Sequence, residues 1–267
     1  MSDKYVHGYS DRESVRLKDQ SVTLAQLLHH DTLYPVGSTV LEAGCGIGAQ
    51  TCIMASNNPD ISIVSVDISP ESLKAAQKAI SAAGIKNVIF KQGDIFDLPF
   101  DKESFDHIFI CFVLEHLSEP EKALLNLRDL LKPDGTITVI EGDHGSAYYH
   151  PASEHAQRNI QCLIDIQARM GGDSLIGRRL YPLLVDVGFK NVTVSPRFVY
   201  ADASRPHMVE GFTRNTFNAM VEGVRGQALK LGLINGEDWD KGIRDLCRTA
   251  DDDGTFCYTF FKAIASK

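Results

Sequence analysis

The chain has 267 residues, 43% of them hydrophobic, and a formal net charge of −8 at pH 7. A chain of this length can bury a full core. Its acidity argues against a nucleic-acid partner, because proteins that bind nucleic acids usually present a basic face. The longest uninterrupted apolar run covers residues 108–114, far too short to cross a bilayer. We therefore expect no membrane partner, and the polar N-terminus predicts no signal peptide.

The cysteine spacing bears on the cellular compartment. No two cysteines form a CxxC pair, so the sequence predicts neither a zinc site nor a disulfide framework. Histidines and acidic residues also lack metal-site spacing, and we expect no metal. The interpretation is a protein of the reducing cytoplasm. The six cysteines are Cys45, Cys52, Cys111, Cys162, Cys247 and Cys257.

Short apolar runs alternate with helical segments through the first half of the chain. This rhythm predicts right-handed βαβ units and a parallel sheet. The predicted strands are residues 38–43, 61–67, 87–91, 105–113 and 136–141, followed near the C-terminus by 189–195 and 255–264.

Two helix starts carry capping signals. Ser69 precedes Pro70, which suits the first helical position, and this helix is expected to stop at Gly84. Ser118 and Glu121 have the spacing of a capping box, which predicts a helix to about residue 131.

The loop after the first predicted strand reads VLEAGCGIG, residues 40–48. Gly44 and Gly46 let the backbone approach a ligand closely, and with Ala49 they also satisfy the loose dinucleotide fingerprint. Asp67 ends the second strand, where it could bind ribose hydroxyls of either kind of cofactor. These features indicate a nucleoside-type ligand without choosing between the cofactors.

Glu42 separates the two interpretations. A carboxylate here is unfavourable beside a pyrophosphate and suits the cationic end of a ligand, such as a sulfonium or an ammonium. The alternative is a strand-end glutamate that points to solvent or caps a neighbouring helix.

Five ordered motifs resemble the class I S-adenosylmethionine-dependent methyltransferases, of the type seen among ubiquinone and menaquinone biosynthesis enzymes. The resemblance covers about residues 36–141. The motifs are residues 40–48, 66–68 (VDI), 93–95 (GDI), 105–117 (FDHIFICFVLEHL) and 131–135 (LKPDG).

The resemblance implies a role for each matching residue toward S-adenosylmethionine. The backbone of the glycine turn would lie against the methionine part, Asp67 would bind the ribose, and Asp94 would bind the adenine amino group. The full set of implied cofactor-binding residues in the motifs is Glu42, Gly44, Cys45, Gly46, Asp67, Ile68, Asp94, Ile95, Cys111 and Phe112.

The resemblance also implies a fold class, and helical periodicity outside the matched stretch predicts the lid and the cap. We expect an α/β, Rossmann-like sheet of seven strands, mostly parallel with an antiparallel last strand, and helices on both faces. The predicted parts are a helical lid at 1–36, a methyltransferase domain at 37–199 and 251–267, and an inserted helical cap at 200–250.

His116 is the candidate catalytic base, because it follows the fourth strand near the expected methyl group. The alternative is a histidine that shapes the pocket or binds a backbone carbonyl. Asp143 and His144 are expected to follow the fifth strand, where they line a substrate pocket or belong to an exposed loop.

The N-terminal segment carries tyrosines and charges that are unusual for a plain surface helix. We expect Tyr9, Arg16 and Gln20 to face the cofactor or the substrate, as part of a lid. The alternative is a solvated amphipathic helix.

The predicted function is methyl transfer to an unidentified acceptor, expected to be a small molecule. A nicotinamide-dependent oxidoreductase would explain the glycines and Asp67 but not Glu42 or the later motifs. A non-catalytic module that binds a nucleoside cofactor is the third alternative. The oligomeric state stays open.

Overall fold

A computed structural model describes residues 11–267, without the side chains of residues 11–15 and 18. Tyr9 lies outside the described residues. The strands are β1 (Thr39–Ala43), β2 (Ser62–Asp67), β3 (Val88–Gln92), β4 (Phe105–Cys111), β5 (Leu131–His150), β6 (Lys190–Ala201) and β7 (Thr255–Ser266).

The helices alternate with strands in the first half of the chain and cluster between β6 and β7. Residues Val209–Asn218 form a π-helix. The α-helices are α1 (Asp11–His29), α2 (Ala49–Asn57), α3 (Pro70–Ala82), α4 (Pro120–Leu130), α5 (Glu154–Arg169), α6 (Leu180–Asp186), α7 (Pro206–Met208), α8 (Ala219–Gly223), α9 (Arg225–Lys230) and α10 (Gly236–Arg248).

The seven strands form one sheet in the order β3-β2-β1-β4-β5-β7-β6. Strands β1 to β5 pair in parallel. β7 is antiparallel to β6, since Asn191 bonds to Ser266 while Thr193 bonds to the Ile264 carbonyl. The predicted fold class is confirmed, including the antiparallel last strand between the fifth and sixth.

One of the two predicted helix caps is present in the structure and the other is not. The Ser69 hydroxyl accepts the Ser72 N–H at 3.1 Å, as the cap prediction requires. The capping box at Ser118 is wrong, because Pro120 takes the first helical position and Glu119 becomes the N-cap. The prediction that Asp143 and His144 follow the fifth strand is also wrong, since β5 continues to His150.

The chain divides into two compact units. The first contains the described residues up to Leu24, Gly142–Leu175 and Arg197–Phe260, and the second contains Ala25–Glu141, Ile176–Pro196 and Phe261–Lys267. The predicted domain boundaries stay predictions.

The core of the second unit is mostly aliphatic, and the core of the first contains a cluster of aromatic rings. In the second, Ile108 and Ile110 of β4 are fully buried with leucines of α4 and α6. In the first, neighbouring ring centroids lie 4.8–6.4 Å apart. These rings belong to Phe212, Phe217, Phe256, Tyr258 and Phe260. Among residues 11–267, no helix has the length and apolar character that a membrane crossing requires.

Candidate functional site

The glycine turn begins at Gly44, where the chain leaves β1. The N–H groups of Gly44 and Cys45 both donate to the Val66 carbonyl, each at 2.9 Å. Gly44 has φ +81°, and a Cβ there would lie 2.5 Å from Cγ2 of Val113. Close packing and a left-handed backbone therefore both require glycine at this position.

Asp67 ties the turn to the next helix. Its Oδ2 accepts the Gly46 N–H at 2.7 Å, and its Oδ1 accepts the Ser69 N–H at 2.9 Å. Burial raises the pKa of the Asp67 carboxyl, and the bonds to these two amides oppose that rise. A Cβ on Gly46 would meet no atom of the described residues within 4 Å. The turn therefore has open space at Gly46, and each Asp67 oxygen keeps a lone pair for a further donor.

The predicted adenine side is assembled at the ends of β2 and β3. The Gly93 N–H donates to the Asp67 carbonyl at 3.1 Å, which joins the two strand ends. Ile68 is 51% exposed, a large apolar side chain left uncovered beside Asp67. Asp94 is exposed and its Oδ1 accepts the Phe96 N–H at 3.0 Å, while Ile95 is partly buried against the core.

Glu42 is buried and hydrogen-bonded. Its Oε2 accepts the Ser65 hydroxyl at 2.6 Å and the Thr51 hydroxyl at 2.7 Å. Burial raises the pKa of its carboxyl to about 7, against the effect of these two bonds. Since only 2% of the residue is exposed, Glu42 does not point to solvent. Its contact with a ligand stays a prediction.

The end of β4 carries the residues expected near the transferred methyl. Cys111 is buried, and Phe112 adopts φ +58°, which is rare for a bulky side chain. The Phe112 N–H donates to the Ile140 carbonyl at 2.9 Å. His116 closes the short 3₁₀ turn that follows, and its Nε2 lies 3.6 Å from Oε1 of Glu115.

Glu141 is a residue that the sequence analysis missed. It lies in β5 one residue after Ile140, the partner of Cys111, and it is fully buried. Its Oε1 accepts the N–H groups of Val113 and Leu114 at 3.0 and 2.7 Å. The same rule that singled out Asp143 and His144, polar residues at the carboxyl edge of a parallel sheet, could have found it.

The remaining candidates belong to the first unit. Arg16 and Gln20 are buried on α1 and bonded to each other, with Nη1 donating to Oε1 at 3.2 Å. Asp143 and His144 are buried, and His144 Nδ1 lies 2.8 Å from the Tyr258 hydroxyl. The exposed-loop alternative for the Asp143–His144 pair is therefore wrong. Within residues 11–267, no group of three or more metal-ligating side chains is gathered.

Comparison with known proteins identifies the family to which the chain belongs. A family model described as "Methyltransferase domain" matches residues 36–188. An uncharacterised 37.1 kDa transposon protein of Streptomyces fradiae is 31% identical over 190 residues, covering 70% of this chain and 54% of that protein. Ajmaline N-methyltransferase of Rauvolfia serpentina is 31% identical over 131 residues, covering 49% of this chain and 44% of that enzyme. The chain spans about half the length of these curated relatives.

Among solved structures, the fold matches phosphoethanolamine N-methyltransferase 2 of Haemonchus contortus, which was crystallised with phosphomonomethylethanolamine and S-adenosylhomocysteine. The TM-score is 0.56 at 19% identity, covering 92% of this chain and 52% of that one. At this identity the match establishes a shared fold.

Proposed function

The chain belongs to the methyltransferase-domain family of class I S-adenosylmethionine-dependent enzymes, and from that premise we propose that it transfers the methyl group of S-adenosylmethionine to a small-molecule acceptor. The observation that carries the proposal is the bridge made by Asp67 between Gly46 and Ser69. This bridge holds a carboxylate with spare lone pairs beside an open glycine turn, and both features suit a ribose.

The residues around the bridge fit the rest of the cofactor. Ile68 offers an exposed apolar surface for an adenine ring, and Asp94 offers a carboxylate for its amino group. Cys111 and Phe112 would border the methionine end. The buried Glu42 carboxylate suits a positively charged ligand better than a pyrophosphate, which disfavours the nicotinamide alternative.

The bound cofactor would supply an electrophilic methyl group on a sulfonium. The protein's task is then to hold the acceptor in line with that methyl and to exclude water. Such positioning is worth roughly 7–11 kcal/mol of barrier. We assign His116 the role of general base, because Glu115 at 3.6 Å would stabilise its protonated ring.

The proposal also covers the N-terminal helix and the cellular location. Arg16 and Gln20, with Tyr9, form the proposed lid, supported by the burial of the first two side chains. The cytoplasm is the proposed location, since no disulfide joins any two of the six cysteines within residues 11–267.

The direct test is calorimetry with S-adenosylmethionine, S-adenosylhomocysteine and NAD, followed by a labelled methyl-transfer assay on small-molecule extracts. We expect both adenosyl ligands to bind and NAD to give no heat. Asp67→Ala should weaken S-adenosylhomocysteine binding by about 10–100-fold, because it removes the acceptor for two turn amides and the predicted ribose contacts. Asp60→Ala, an exposed aspartate, is the matched control. Binding of NAD alone would overturn the proposal.

A further inference from the structure

The Glu141 carboxylate is held in one orientation. Its Oε1 accepts two backbone amides of the turn after β4, from Val113 at 3.0 Å and from Leu114 at 2.7 Å, and the Glu115 amide acts on the carboxylate as well. Because the residue is fully buried within β5, the carboxylate cannot rotate toward solvent.

The second oxygen of this carboxylate has no such contact. Glu141 Oε2 is buried and makes no hydrogen bond to any residue from 11 to 267 that the structure describes. A buried carboxylate oxygen without a donor is costly, and native proteins seldom keep one without a use for it. The oxygen is therefore a place where a ligand donor would be stabilising.

The charges around Glu141 select the kind of donor. Glu115 lies close enough to raise the pKa of Glu141 further, after burial itself. Glu42, Glu115 and Glu141 all act on the Cys111 thiol, and the positive charge that opposes them there comes from Lys262. The Lys262 ammonium donates to oxygens of Leu28, Asp31 and Thr32. A cationic donor would thus gain more at this place than a neutral one.

We propose that Glu141 Oε2 binds the amino group of the methyl acceptor, so that the acceptor is a primary or secondary amine. The inference rests on the proposed methyltransferase function and adds the substrate class. The ammonium form of the acceptor donates a hydrogen bond to the Glu141 carboxylate and gives one proton to His116, the proposed general base, which leaves a neutral amine with a free lone pair. That lone pair forms the new nitrogen–carbon bond as the methyl carbon–sulfur bond breaks, and the sulfur keeps the electron pair of the broken bond.

The test is calorimetry on the protein saturated with S-adenosylhomocysteine, using amines and the alcohols of matching shape. Suitable pairs are benzylamine with benzyl alcohol and cyclohexylamine with cyclohexanol. We expect at least one amine to bind about tenfold or more tightly than its alcohol. Glu141→Gln should abolish that preference, because it keeps an oxygen for the Val113 and Leu114 amides and replaces Oε2 by an NH₂ group.

Two further variants control the test. Glu119→Gln changes an exposed carboxylate near the same turn and should leave the preference intact. Glu115→Gln removes the neighbouring charge without touching the Glu141 side chain, and should reduce the preference by a smaller factor. It stands in for Glu141→Gln if that variant does not fold.

The outcomes separate the two proposals. Equal binding of amines and alcohols, no binding of any amine, or an unchanged preference in Glu141→Gln would overturn the amine assignment. These results count only for protein samples in which binding of S-adenosylhomocysteine has been measured. Failure of the wild-type protein to bind S-adenosylhomocysteine would instead overturn the proposed function.

Discussion

Two polar regions of the molecule are built in different ways. In the second unit, the glycine turn is held by backbone amides and one carboxylate, and its partners Gly46 and Asp67 are 21 residues apart. In the first unit, the His144–Tyr258 pair joins residues 114 apart and is surrounded by aromatic rings. Backbone conformation therefore determines the structure of the glycine turn, whereas contacts between side chains determine the structure around the His144–Tyr258 pair.

The largest effect is expected from Gly44→Ala. A left-handed backbone costs roughly 1–2 kcal/mol for a residue with a Cβ, and the new Cβ would overlap Val113, which adds roughly 1–3 kcal/mol. We expect a total destabilisation of about 2–5 kcal/mol, measured by urea unfolding. A loss below about 1 kcal/mol would show that the turn is not closely packed.

Gly46→Ala is the matched control for that variant. Gly46 is also left-handed, at φ +51°, but a Cβ there meets no atom within 4 Å in the part of the chain that the structure describes. We expect a stability loss of only about 1–2 kcal/mol, together with weaker binding of S-adenosylhomocysteine, because the methyl group would enter the proposed cofactor space. Equal stability losses in the two variants would break the distinction between the packed and open sides of the turn.

The same contrast explains what could be predicted from the sequence. Gly44, Gly46 and Asp67 belong to short motifs whose geometry is local, so the turn and the parallel sheet followed from their order. The extension of β5 to His150 could not be predicted, because it depends on pairing with β7 more than 100 residues later. The hydrogen bonds of Glu141 could not be predicted for a related reason: its partners Val113 and Leu114 are backbone amides, which no residue pattern reveals.

The second prediction concerns Glu42 and pH. Its folded pKa is about 7, against 4.5 for an ordinary glutamate, so the folded state binds the proton more tightly than the unfolded state. The stabilising effect of that proton is fully present below pH 4.5 and is lost as the pH rises to about 7, by about 3 kcal/mol. Glu42→Gln should therefore gain stability relative to the wild type between pH 4.5 and 8, as urea unfolding at each pH would report.

The comparison must be made against the wild type at every pH, because His29 titrates in the opposite sense. Burial lowers the pKa of His29 from 6.5 to about 4, so its contribution is present above pH 6.5 and lost as the pH falls toward 4. Both proteins carry His29, and its effect cancels in the difference. If the two pH profiles were parallel, the Glu42 carboxyl would not be the buried acid described here.

The smallest effect is expected in the aromatic region, where one substitution should cancel the cost of another. A Cβ at Gly142 would collide with the Tyr258 hydroxyl, so Gly142→Ala should cost roughly 1–3 kcal/mol. Tyr258→Phe removes the bond to His144 Nδ1 and should cost a similar amount, about 1–3 kcal/mol.

The double variant, Gly142→Ala with Tyr258→Phe, tests whether the cost comes from that one contact. Removing the hydroxyl vacates the space that the new methyl group needs, so adding Gly142→Ala to the Tyr258→Phe variant should cost close to nothing. The coupling between the two sites, measured by urea unfolding of all four proteins, should then nearly equal the cost of Gly142→Ala alone. Additive costs would mean that Gly142 is required by its backbone, as Gly44 is, and the difference between the two regions would disappear.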